Sequence, residues 1–165
     1  MTLSAEAAMR IRENLRAQAA ERSIDAIIAQ VEEGISELTA AAGAIPAADL
    51  GTVPPGESWT PLACMTHATG ANIQHAQQIL YVALSGELPA ASAADLPPGR
   101  EAMLARHREA IDSLYAHVRE AQPDAFLDVR WNHQFFGDLN WREWLLFLRL
   151  HARDHARQLT AMRGG

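Results

Sequence analysis

Four long stretches of this chain carry large apolar residues at spacings of three and four, and nowhere does an apolar/polar alternation run long enough for a convincing strand. That spacing puts apolar side chains on one face of a helix, which then needs another face to bury it. The clearest stripe is Ile24, Ile27, Ile28, Val31, Ile35 and Leu38, within a helical pattern from Ser4 to about Ala42. Ser4 suits the N-cap, Glu6 favours the first turn, and a break near Arg22–Ser23 allows a short helix followed by a long one. Gly43, Pro46, Gly51, Pro54, Pro55 and Gly56 mark a loop.

Thr60 and Pro61 open the next helix as N-cap and first residue, and it ends about Leu84, before Gly86. After a loop containing Pro89, Pro97, Pro98 and Gly99, a third helix covers about Arg100 to Ala121 and stops at Pro123. Residues 124–140 read as irregular and aromatic, with Gly137 as a turn and Asn140 as cap of a last helix from Trp141 to about Arg163. The expectation is an all-α, antiparallel four-helix bundle in a single domain over 1–165, with residues 1–22 as a helical extension.

Composition excludes several function classes. Net charge is −6, with 14 basic side chains that are all arginine. An acidic chain without a basic cluster is a poor partner for nucleic acid, and a chain without lysine has no Schiff-base chemistry. The run Leu145–Leu148 falls far short of a membrane span, and charges punctuate the first thirty residues, so the expected place is the cytoplasm. Cys64, the sole cysteine, has no internal partner, which suits a reducing compartment. No GxSxG is present, and Cys64 has no evident base.

The chemistry rests on histidine. His151 and His155 lie four apart on the last helix, so both imidazoles share one face and can grip one ion. His67 stands in a second amphipathic segment that could face them. By itself HxxxH is a weak motif, and packed or solvated histidines explain it as well.

Two segments add to it. ESWTPLACMTHATGANIQHAQQIL resembles the second helix of the DinB/YfiT-like superfamily, where a tryptophan, a Ser/Thr and often a proline precede a histidine. FFGDLNWREWLLFLRLHARDHARQL resembles that superfamily's last helix, with its Phe-Gly lead-in and HxxxH pair. The resemblance covers the chain from about Ile24 onward. It implies a bundle, often a homodimer, that holds a divalent metal such as zinc or nickel. By position, His67, His151 and His155 match the three metal ligands. Some members transfer low-molecular-weight thiols or isomerise maleylpyruvate with mycothiol, so a thiol cosubstrate and a small-molecule substrate are implied. Where the family has leucine after the first histidine, Ala68-Thr69-Gly70 follows here, leaving room beside the site.

Other residues carry competing readings. His75, two turns beyond His67, is a pocket or second-shell candidate or a plain helix-surface residue. His133, just before the last helix, can overhang the site or merely pack. Asp154 can orient a ligand or face water. His107 and His117, among arginines and glutamates, read as solvated; Trp141 and Trp144 read as core or dimer-interface residues before substrate stackers. The leading function is a metal-dependent transferase or hydrolase with an open three-histidine site. The alternative is a non-catalytic dimeric bundle with a structural metal or none.

Overall fold

A computed structural model describes residues 4–163; the first three residues of the expected extension and the final two lie outside it. The helices are α1 (Ala5–Glu21), α2 (Ile24–Gly43), α3 (Pro61–Ser85), α4 (Arg100–Val118) and α5 (Trp141–Arg163). A single 3₁₀ turn, Ala47–Asp49, interrupts the α2–α3 link. The break at Arg22–Ser23 is real, because Ser23 starts a new helix by accepting a hydrogen bond from the Ala26 N–H. Ser4 and Thr60 cap α1 and α3 in the same way. Asn140 caps α5: its Oδ1 accepts from the N–H groups of Arg142 and Glu143, and Glu143 accepts in return from the Asn140 N–H.

The segment read as irregular contains a small antiparallel hairpin, β1 (Arg130–His133) and β2 (Gly137–Asn140), with Trp131 opposite Leu139. Its strands are four residues each, too short for their alternation to stand out in sequence. Burial of Trp131, stacked on Trp144 of α5 at 5.3 Å, holds the hairpin to the bundle.

Packing follows the stripes. Ile27, Val31, Ile35 and Leu38 are buried in one core with Ile79, Val82, Ile111, Leu114, Leu145 and Leu148. Helix α5 packs on both α2 and α3, α4 covers their other side, and α1 lies against α5 outside the bundle. Helix direction is legible in cross-helix pairs. Asp25 at the start of α2 meets Arg119 past the end of α4, while Arg100 at the start of α4 donates to Ile45 O beyond the end of α2. Cys64, early in α3, meets Gln158, late in α5. Thus α2/α4 and α3/α5 are antiparallel pairs. Helices α2 and α5 run side by side in one direction, with Arg149 and Arg153 pairing in step with Glu33 and Glu37.

Helices α3 and α4 therefore point the same way, and residues 86–99 must cover the length of α4, roughly 28 Å for 19 residues. The link does so by returning along α3, where Pro89 O accepts from Gln78 and Leu96 lies over Gly70. The room expected beside Gly70 is thus taken by Leu96. No described helix is long and apolar enough to cross a membrane.

Candidate metal centre

Helices α3 and α5 bring His67, His151 and His155 together. One ring nitrogen from each lies within 4.8 Å of the others. Ring centroids are 5.7 Å apart for His67–His151, 5.0 Å for His67–His155 and 4.6 Å for His151–His155. Zinc held tetrahedrally at 2.0–2.1 Å needs ligand nitrogens roughly 3.3 Å apart. His67 is exposed while its two partners are half-buried. Trp59, edge-on at 5.1 Å, flanks the His67 ring.

The second ring nitrogen of each α5 histidine is already committed. His151 Nδ1–H donates to Asn72 Oδ1 at 2.8 Å, and His155 Nδ1–H donates to Gln158 Oε1 at 3.0 Å. A carboxamide oxygen only accepts, so both protons sit on Nδ1 and both Nε2 lone pairs remain open. Burial pushes the His151 pKa far below its ordinary value, reinforced by His155, His75, His67 and His133. Burial also lowers that of His155, with Gln158 opposing. Neutral imidazole is the ligating form, and the fold holds these rings neutral.

These three histidines lie in the two segments that carry the family resemblance. A family model described as the DinB superfamily matches residues 6–159. The chain belongs to the DinB superfamily. Neither the curated proteins nor the solved structures yield a match.

Around the DinB histidines the other candidates fall into three groups. His75 is half-buried against Trp144 at 4.6 Å rather than lying on an open surface. Burial lowers its pKa to about 4, with Gln78 opposing. His133 is buried between Phe136 and Phe147, each at 4.5 Å, and its Nδ1 accepts from the Phe135 and Phe136 N–H groups. Its pKa also falls to about 4, through burial and His75. Phe147 reaches His151 at 5.8 Å, so an aromatic wall runs from the hairpin to the site. Asp154 is exposed and acts on His155 and Cys64 through its charge.

Cys64 is buried behind the site, with Sγ 3.4 Å from Gln158 Oε1 and 3.6 Å from His155 Nδ1. It faces the committed nitrogen of His155, and burial, Glu57 and Asp154 push its thiol up to about 12. Turned to that nitrogen rather than to the open Nε2, Cys64 packs behind the histidine cluster. Trp141 and Trp144 are core, as their surroundings suggest.

His107 corrects the sequence reading. It is 1% exposed, not solvated, and its Nε2 lies 3.1 Å from Asn72 Nδ2. On α4 it sits four residues from both Met103 and Ile111, on the buried stripe, and that periodicity is a stronger signal than its charged neighbours. Asn72 escaped notice for another reason. A carboxamide on a helix has no sequence signature until its partner on another helix is known.

Proposed function

We propose that this protein is a metal-dependent enzyme of S-transferase or hydrolase type, with His67, His151 and His155 as three ligands to one divalent ion. The observation that carries the reading is the convergence of three imidazoles at one spot between facing helices, two of them half-buried, held neutral and oriented by carboxamides. The donor chemistry suits zinc or nickel. Three protein ligands leave a coordination position open, as catalytic rather than structural zinc sites do. A bound ion would supply Lewis acidity there, favouring the anionic form of water or of a low-molecular-weight thiol. The chain's own part is to hold His151 and His155 neutral and to wall their side of the site with Phe147, Trp144 and His133 against bulk water.

Elemental analysis after incubation with zinc or nickel should find about one ion per chain. His151→Ala should lose the ion yet keep its helical circular dichroism, because the core is built from aliphatic stripes and not from the site. Because burial holds the two α5 histidines neutral well below the ordinary histidine range near about 6.5, affinity should fall only at acid pH, where protons at last compete for the ligand nitrogens. No bound metal, or an affinity indifferent to pH, overturns the reading. Complete unfolding of His151→Ala would make any ion structural.

A further inference from the structure

Two side chains behind His151 are more polar than a bundle core requires. Asn72 on α3 is fully buried, and His107 on α4 is 1% exposed. Placing two such groups inside costs free energy that leucines would not incur, unless both are hydrogen-bonded. They are, in a line that crosses three helices: His107 Nε2, Asn72 Nδ2, Asn72 Oδ1, His151 Nδ1.

We propose that His107 and Asn72 form a positioning relay that holds His151 in the tautomer able to ligate an ion through Nε2. The inference rests on the metal reading above. A carboxamide presents an oxygen on one side and an N–H₂ on the other, so the line has two self-consistent polarities. In one, His107 Nε2 accepts from Asn72 Nδ2 and Asn72 Oδ1 accepts from His151 Nδ1–H, which leaves His151 Nε2 open. In the other, the amide is turned over, His151 Nδ1 accepts, and its proton moves to Nε2, where it blocks ligation. The structure holds the first polarity. A His107 whose proton is on Nδ1 selects it, because a bare Nε2 can only accept. His107 thereby acts on a ligand it does not touch, through one amide. Histidine ligands that lose such partners weaken metal binding about 10–100-fold.

The test uses full-length protein at fixed pH, with zinc alone as probe in competition with a chelator. Asn72→Leu should weaken zinc binding about 10–100-fold. Asn72→Asp should remain within a few-fold of the parent, because a carboxylate still accepts from His151 Nδ1–H and His107 can turn its own proton to Nε2. His107→Phe should weaken binding severalfold. In metal-free protein, long-range ¹H–¹⁵N spectra should show His151 protonated on Nδ1 in the parent and in Asn72→Asp, and a mixture of tautomers in Asn72→Leu and His107→Phe. A purely structural role would not move those ¹⁵N shifts. Parent-like zinc affinity in folded Asn72→Leu, or an Nε2–H tautomer of His151 in the metal-free parent, overturns the relay. Should Asn72→Leu not fold, His107→Phe and the parent spectrum decide. Zinc that fails to bind the parent protein overturns the metal reading, whereas the tautomer measurement judges the relay by itself.

Discussion

His107 shows how one residue can carry a pH dependence for the fold. Unfolded, it takes up a proton near pH 6.5; folded, burial first and then Arg108 lower its pKa to about 4. Between those values the unfolded chain binds more protons, so stability is lost as pH falls from about 6.5 to about 4. The difference corresponds to about 3 kcal/mol for this residue. His75 and His133, both lowered to about 4, act in the same direction. Denaturant unfolding of metal-free protein and of His107→Phe should therefore show a stability difference that shifts in favour of the variant by about 3 kcal/mol between pH 7 and 4. A difference that stays constant across that range would mean that His107 is solvated in the native state.

At the scale of elements, α2 and α5 approach backbone to backbone at Gly34. A Cβ at Gly34 would stand 2.9 Å from the backbone oxygen of Arg149 and 3.1 Å from its Cα. Backbone cannot swing away as a side chain can, so the two helices would have to separate. Gly34→Ala should cost about 1–3 kcal/mol despite alanine's better helix propensity. Gly43 sits in the same helix with nothing within 4 Å and no positive φ. Gly43→Ala should thus stabilise by about 0.4–1 kcal/mol. Urea melts of the two variants check both signs. In the sequence Gly43 reads as the start of a loop rather than as part of α2, and nothing there shows that Gly34 must stay small, because the reason lies in Arg149, 115 positions after Gly34. Helix starts were legible for the opposite reason: each cap bonds within three residues of itself.

At the scale of the whole molecule, α1 is joined to the bundle by Arg142. Its buried guanidinium donates to Ala19 O and Arg22 O at the end of α1 and to Pro123 O after α4. A cation among the last carbonyls of a helix satisfies groups that have no intrahelical partner and meets the negative end of the helix dipole. Arg142→Leu would strand three carbonyls and should cost about 3 kcal/mol or more. Thermal unfolding monitors the loss, and hydrogen exchange should rise first in α1. An unchanged melting temperature would show that α1 is held by its other contacts, the buried Ala8, Leu15 and Ala19 and the Arg16 side chain on Asp138 O.

The long helices, the caps at Ser4, Thr60 and Asn140, and the His151–His155 pair were legible in the chain, because each is written in spacings of two to four residues along one helix. His67, on another helix, joined the pair only through the family resemblance. Which faces meet became visible in three dimensions: α2 and α5 run in one direction, a hairpin of four-residue strands packs Trp131 on Trp144, and Asn72 reaches both His107 and His151. Periodicity states that a face is buried but not against what. A hydrogen bond between residues 79 apart acts at 2.8 Å in space and leaves no mark on the local pattern.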